Sequence, residues 1–310
     1  ILDTPLIEEL PKGFMSTRTG KRSFNWRSDK AATLIYVEAL DGGDPANVVD
    51  YRDEIFELEA PFNGEGKSLI KTINRFAGID WGNTNLAIAY DRWWNTRNTK
   101  AYAFNPSNNE VSPKIINDRN YQDVYSDPGT FMKERNSYNR SVLKLHSGSA
   151  FLRGAGFTSE GQFPFIDKVN IESFSKKRVY QSTYTNKVES IQDYDPSKKQ
   201  LMVRIESPTE FPNYYTKKTN SSKLTKVTDF KNPFKELQNV KKQTITYTRD
   251  DGLELSGILY LPLNYDEEKK EKMPMILWAY PREFKDRKSA SQSSKNSNEF
   301  TYPYYGSMVY

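Results

Sequence analysis

A chain of 310 residues with 45 basic and 40 acidic side chains carries a formal charge of only +5 and contains no cysteine, which excludes a disulfide framework, a thiol nucleophile and a thiolate metal site. Its basic stretches (Lys217-Lys218, Lys241-Lys242 and 269–272) are too short and dispersed for the concentrated face that nucleic-acid binding requires. No apolar run approaches the ~18 residues of a membrane helix. The opening ILDTPLIEELPKG lacks a basic n-region and an apolar h-region, so neither a membrane span nor a signal peptide is expected within these residues.

The length suits about two domains or one large all-β domain. Aromatic content of 14%, with 20 Tyr and 17 Phe against 36% hydrophobic residues, favours sheet over helix bundle. Residues 1–25 read as the tail of an incoming segment, interrupted by Pro5 and Pro11. A repeated pattern then begins: an aromatic, a short polar turn and an apolar-rich strand. Trp26 precedes TLIYVEAL (33–40), Trp81 precedes NLAIAYDR (85–92), Tyr138 precedes SVLKLHSG (141–148), and Tyr194 precedes QLMVRIES (200–207). The aromatics are 55, 57 and 56 residues apart. A second strand follows in each unit (54–58, 100–104, 165–171, 214–218), and a further run closes it (68–73, 114–117, 179–182, 224–228). The Lys-Leu-Thr-Lys-Val-Thr pattern of the last run is read as a half-buried strand.

Several strands per repeat at a fixed period mark a β-propeller with one blade per repeat, although a period near 56 is long for that class. A β-sandwich with coincidental spacing is the competing interpretation. Four units fit before Thr244. Most propellers need more blades to close, so residues 1–243 are expected to form a partial propeller whose missing blades lie on the N-terminal side.

At residue 244 the pattern changes. Runs 244–249 and 253–261 flank Asp250-Asp251-Gly252, where glycine supplies the positive φ of a tight hairpin. A charged loop follows at 264–272. The run MILWAY (275–280) is apolar without alternation, as suits a strand buried on both faces of a parallel sheet. Residues 285–298 read as an exposed Ser/Lys/Asn-rich loop, and 299–310 are aromatic and end on a strand-like GSMVY. The fold expected is therefore all-β, a partial propeller of about four blades, followed at 244–310 by the first strands of an incomplete α/β domain.

The chemistry of a Ser-His-Asp hydrolase requires a nucleophile elbow, G-x-S-x-G, and a histidine base. No G-x-S-x-G occurs. The nearest look-alike, His146-Ser147-Gly148-Ser149-Ala150-Phe151, lacks the second glycine and falls in the third repeat. His146 is the single histidine and reads as an ordinary strand or loop residue, so no histidine-based metal site and no cofactor are expected. Asp41-Gly42-Gly43-Asp44 has the residue types of a cation-binding turn, which are also the default residues of any turn.

Five ordered stretches carry a family resemblance: SFNWRSDKAATLIYVEALDGGD (23–44), WGNTNLAIAYDRWWNTRNTKAYAFNP (81–106), QDVYSDPG (122–129), DGLELSGILYLPLNYD (251–266), and MPMILWAYPREF (273–284) with the following SNEF (297–300). By these the chain resembles the prolyl oligopeptidase family of serine peptidases, and within it the glutamyl endopeptidase type of chloroplasts and its bacterial relatives. The resemblance implies a β-propeller that restricts access to an α/β-hydrolase domain with a Ser-Asp-His triad. This chain would hold the C-terminal part of the propeller and the first strands of the hydrolase domain. The nucleophile and its triad partners would lie elsewhere. One catalytic position carries over: Tyr280, just after the first buried hydrolase strand, is the oxyanion-hole candidate, since a rigidly held phenol donates to the developing oxyanion. Arg282 stands where the plant-type pattern has Gly, and is the candidate to bind an acidic substrate side chain, in keeping with cleavage after Glu. Bacterial members are often exported, so the resemblance implies a periplasmic or otherwise exported location.

Two classes of function follow. The first is a serine endopeptidase or oligopeptidase acting on peptides, of which this chain is a part with no peptidase activity of its own. The second is a non-catalytic propeller that binds partners by its blade faces. An open arc of blades leaves sheet edges uncovered. Association with the absent hydrolase and propeller segments, or with a second copy as a homo-oligomer, is therefore expected.

Overall fold

The structure is a computed structural model that describes residues 4–238, 240–269, 271–280 and 282–303. Strands dominate it. The first sheet is a meander of β1 (Arg22–Trp26), β2 (Thr33–Ala39), β3 (Asp53–Glu59) and β4 (Lys67–Thr72). The second repeats that layout with β5 (Arg75–Asn83), β6 (Leu86–Trp93), β7 (Asn98–Phe104) and β8 (Lys114–Asn120). Then come β9 (Thr130–Phe131), the hairpin β10 (Lys133–Arg135) with β11 (Ser141–Leu143), β12 (Ser149–Gly154), the small hairpin β13 (Phe157–Thr158) with β14 (Gly161–Gln162), β15 (Phe165–Asn170) and β16 (Lys176–Gln181). The third four-stranded sheet runs in the order β16-β15-β12-β9. The fourth returns to the simple meander with β17 (Val188–Asp195), β18 (Gln200–Glu206), β19 (Asn213–Lys218) and β20 (Thr225–Lys226). A two-stranded ladder of β21 (Lys241–Thr248) and β22 (Glu254–Leu261) and the short helix α1 (Arg287–Ala290) complete the described elements. The all-β, multi-blade architecture expected from the repeat is the one observed.

The burial of each strand explains its composition. The second strand of a sheet is covered on both faces, so β2 buries the consecutive Ile35, Tyr36 and Val37, and β6 buries Leu86, Ala87, Ile88 and Ala89. Unbroken apolar runs are what such a position demands. The outer strands β8 and β16 are polar: β8 buries no residue and β16 buries only Tyr180. Charged outer strands discourage edge-to-edge pairing. The four repeat aromatics mark the junction of first and second strands. Trp26 ends β1, Trp81 lies on β5 and Tyr194 on β17, whereas Tyr138 sits in the turn between β10 and β11.

Two sequence expectations are corrected. The run 224–228 shortens to the two exposed residues of β20, and Val227 is 52% exposed. β20 is an edge strand paired through Tyr215–Lys226 and Thr216–Thr225, and Leu224 and Val227, three residues apart, do not share a strand face: Leu224 is half-buried and Val227 exposed. The run 141–148 breaks after Leu143, where His146 and Ser149 pair across a two-residue turn with Ser147 and Gly148 at positive φ. Positive φ at both central residues is the tight hairpin geometry. The serine look-alike is thus a turn that leads into β12.

The chain divides into two compact units. The first comprises residues up to Tyr121 with Phe131–Phe151 and Val169–Ser175. Its core joins Ile35, Val37, Ile55, Leu69 and Ile70 of the first sheet to Trp81, Ala87, Ala89, Tyr102 and Phe104 of the second. A buried ionic seam lies between the same sheets. Asp53, fully buried, lies 2.5 Å from Arg22 and 3.1 Å from Arg75, and accepts the Phe76 amide at 2.7 Å. Asp41, also buried, pairs with Arg52 at 2.7 Å and Arg75 at 2.8 Å. Arg27, 1% exposed, pairs with Glu57 at 2.5 Å and stacks 4.2 Å over Trp81. Arg140, in the β10–β11 turn, donates to the Arg27, Lys30 and Ala31 carbonyls, and Asn136 to that of Ser28.

The second unit comprises Gln122–Thr130, Leu152–Lys168 and the residues from Lys176 onward. It uses the same device. Tyr180 on β16 donates to the buried Glu189 on β17 at 2.6 Å, and Lys217 on β19 lies 2.8 Å from the Tyr180 hydroxyl and 3.4 Å from Glu189. Burial, then the hydrogen bond to Glu189, pushes the Tyr180 phenol far above its ordinary pKa.

Removing one partner of a buried pair strands the other as an uncompensated charge. Asp53→Ala, which leaves Arg22 and Arg75 without their shared carboxylate, is expected to destabilise the fold by about 3–5 kcal/mol in denaturant unfolding. A loss below about 1 kcal/mol, the level of a surface pair, would show that the seam does not hold the sheets.

Candidate functional site

The two candidate site residues lie on the segment that follows β22. Residues 271–280 form no strand, and Met275, Ile276, Leu277, Trp278 and Tyr280 are all exposed, Tyr280 by 75%. The buried strand expected at 275–280 is therefore absent. A parallel-sheet strand is ordered by neighbours on its edges and cover on its faces. Among the described residues, the strands after position 240 are β21 and β22, which pair with each other. Arg282 is exposed as well, and Pro281 lies outside the described residues. The hairpin ahead of this segment is as expected: Gly252 has φ +80° in the turn, and Arg249 pairs with Asp251 at 2.6 Å. The strand-like 306–310 lies outside the described residues.

Just after Arg282 the chain is hydrogen-bonded to the loop that joins β8 to β9. The Gln122 side chain donates to the Glu283 carbonyl at 2.6 Å and accepts the Lys285 amide at 3.3 Å. Asp123 accepts Lys288 Nζ at 2.9 Å and Gln292 Nε2 at 2.7 Å. Its carboxylate also caps its own loop by accepting the Ser126 amide at 3.2 Å. The Tyr125 amide donates to Gln292 Oε1 at 3.3 Å, and the Tyr125 hydroxyl accepts the Ser293 amide at 3.1 Å. Helix α1 is set by Asp286, which accepts the Ser289 amide at 2.7 Å and its hydroxyl at 2.9 Å, a regular N-cap. The Ser/Lys/Asn-rich stretch read as an exposed loop is bound to residues more than 160 positions earlier.

The chain continues along the fourth sheet. Asn296 donates to Gln162 at 3.1 Å and Asn298 to the Thr185 carbonyl at 2.9 Å. Phe300, 4% exposed, packs edge-on against Phe211 and Tyr302, with ring centroids 5.2 Å from each, and its amide donates to Glu206. Arg204 joins Glu206 to the Tyr302 hydroxyl, at 2.7 and 3.0 Å. Burial and the nearby Glu206 raise the Glu299 carboxyl, and burial lowers the Lys242 ammonium.

Burial alone would raise the Asp123 carboxyl, but the hydrogen bonds from Lys288, Gln292 and the Ser126 amide outweigh it and hold the group down at about 2. Sequence reasoning singled out QDVYSDPG and SNEF only as stretches of resemblance. An Asp three residues before Ser126 signals a local cap; nothing in the sequence names Lys288 or Gln292 as partners. The other sequence candidates have structural work. His146 is paired across its turn. In the Asp41 turn the places a cation would take are filled by Arg52 and Arg75, and Asp41 also accepts the Gly43 amide at 3.0 Å. Gly43 has φ +78°, and a Cβ there would overlap the Thr17 carbonyl. Among the described residues no group of three His, Cys, Asp or Glu is placed to hold a metal ion, and no helix is long and apolar enough to cross a membrane.

No protein-family model matches the chain. Two curated plant proteins do. The probable chloroplastic glutamyl endopeptidase of Oryza sativa subsp. japonica is 36% identical over 316 residues, covering 97% of this chain and 34% of that protein. The protein of the same description from Arabidopsis thaliana is 34% identical over 317 residues, covering 97% of this chain and 33% of that protein. The chain thus spans about a third of the length of the curated relatives it matches. Among solved structures, dipeptidyl peptidase 4 of Porphyromonas gingivalis is similar at a TM-score of 0.44 and 12% identity, covering 78% of this chain and 42% of that one.

The Asp123 clasp has a defined pH response. Its folded pKa of about 2 lies below the ordinary 3.8, so its contribution is complete above the ordinary value and is lost as the pH falls through about 2. Amide protection across 286–293, measured by hydrogen exchange, is expected to fall between about pH 4 and about pH 2. In Asp123→Asn it is already low at neutral pH. Protection that is unchanged by either perturbation would show that Asp123 does not hold this stretch.

Proposed function

The chain belongs with the glutamyl endopeptidase-like members of the prolyl oligopeptidase family, and from that premise we propose that it supplies propeller blades and the opening of the hydrolase domain to a serine peptidase. The boundary is placed at 243/244, with residues 244–310 as the start of the hydrolase domain. The observation that carries the proposal is identity of 34–36% running over 97% of the chain, from the first sheet through the segment that bears Tyr280 and Arg282. The peptidase would cut peptide bonds, with preference for Glu, through an acyl-enzyme. Its nucleophile, general base and orienting carboxylate are assigned to the full-length protein, because the 310 residues contain no G-x-S-x-G.

Within that reaction Tyr280 is the proposed oxyanion donor. When the serine oxygen attacks the scissile carbonyl, negative charge develops on the carbonyl oxygen, and the phenol O–H donates to it. One such donor is worth roughly 3–4 kcal/mol of transition-state stabilisation. The exposure of Tyr280 leaves the phenol available for that role. Arg282, two residues on and also exposed, is proposed to pair with the substrate glutamate. A guanidinium suits this because it binds a carboxylate through two parallel hydrogen bonds.

The full-length protein is expected to react with a fluorophosphonate at one serine and to cleave peptides after Glu. Tyr280→Phe lowers kcat by about 10²–10³-fold, and Arg282→Met narrows the preference for Glu over Gln peptides. A full-length protein that binds peptides but is neither labelled nor active would instead be a propeller scaffold.

A further inference from the structure

Resting on the assignment of Tyr280 as oxyanion donor, we propose that Gln122 and Asp123 are positioning residues for that tyrosine. A hydrogen-bond donor in an oxyanion hole must be held within about 0.5 Å of its working place. Yet residues 271–280 form no strand and Tyr280 is exposed, so no ladder on the upstream side sets its path among the described residues. The first fixed points lie downstream. Gln122 takes the Glu283 carbonyl and the Lys285 amide, three and five positions past Tyr280, through a single side-chain amide. One group thereby holds a backbone acceptor and a backbone donor two residues apart, as a neighbouring strand would. Asp123 and Tyr125 then bind Lys288, Gln292 and Ser293, which prevents the chain from sliding past Gln122. The loop itself connects β8 to β9 and is closed by the Asp123–Ser126 cap. A strand-like grip by a loop of the blade region thus stands at the exit of the segment that bears both candidate site residues.

The test is a double-mutant cycle in the full-length protein with a Glu-containing peptide. Gln122→Ala and Asp123→Asn are each expected to lower kcat about tenfold or more, with KM changed less than about twofold and the thermal midpoint retained. In a Tyr280→Phe background the same substitutions have little further effect, because no donor remains to be positioned. Gln122→Glu, which keeps the acceptor for the Lys285 amide and loses the donor to Glu283, retains part of the activity and serves the same cycle if the alanine variant does not fold. Equal losses in the parent protein and in the Tyr280→Phe background overturn the positioning role while leaving the oxyanion assignment intact. A Tyr280→Phe enzyme with unchanged kcat overturns the oxyanion assignment, and the positioning role with it.

Discussion

The first and second sheets of this protein meet on apolar faces, but their register is held by carboxylates that are buried from water. Apolar packing is not directional, and two smooth sheet faces can slide at small cost. A buried carboxylate gripped by guanidinium groups cannot, because any shift leaves an uncompensated charge in a low-dielectric interior. Asp53 is held in this way by Arg22, Arg75 and the Phe76 amide. Asp91 is equally buried and accepts the Asn74 and Lys100 amides and the Tyr102 hydroxyl. In the second unit Glu189 has the same place between Tyr180 and Lys217. The charged residues at these seams, which look in the sequence like ordinary surface residues, are the directional part of the packing.

The segment that follows the proposed site residues is held by parts of the chain far from it in sequence. The stretch 283–303 is held by hydrogen bonds and one aromatic cluster, first on the 122–126 loop and then along the fourth sheet. In the proposed reaction Tyr280 and Arg282 would carry the substrate chemistry, while Gln122 holds the backbone of Glu283 and Lys285 just downstream. An exposed tyrosine on an unpaired segment becomes useful only when something else limits its motion.

Much of the fold was legible because its physical requirements are local. β2, β6 and β18 are each flanked by strands on both edges, with unbroken buried runs in β2 and β6 and alternate buried residues in β18, and each is read from the sequence within a residue of its observed bounds. The interval near 56 residues follows from four strands and their connections recurring as one unit. Legibility failed where a strand depends on what lies beside it. MILWAY has the composition of a buried strand but no strand partner among the described residues, and KLTKVT lies on an edge with Leu224 and Val227 three residues apart, so the two do not share a strand face. The first run of the third repeat, 141–148, breaks after Leu143 and ends in a turn at Ser147-Gly148, and the periodicity hid the break.

By itself the sequence determined the strands β2, β6 and β18, the repeat, the hairpin at Gly252 and the resemblance to glutamyl endopeptidases. Each of these rests on residue types at short spacing or on identity along the chain. The tertiary structure alone decided which charges are buried and with whom. It also showed that the Asp41 turn is filled by Arg52 and Arg75, and that Gln122 and Asp123 meet residues 283–292. Those pairings join positions from 11 to 169 residues apart. The side chains involved have no preference for one another until the sheets bring them together away from water.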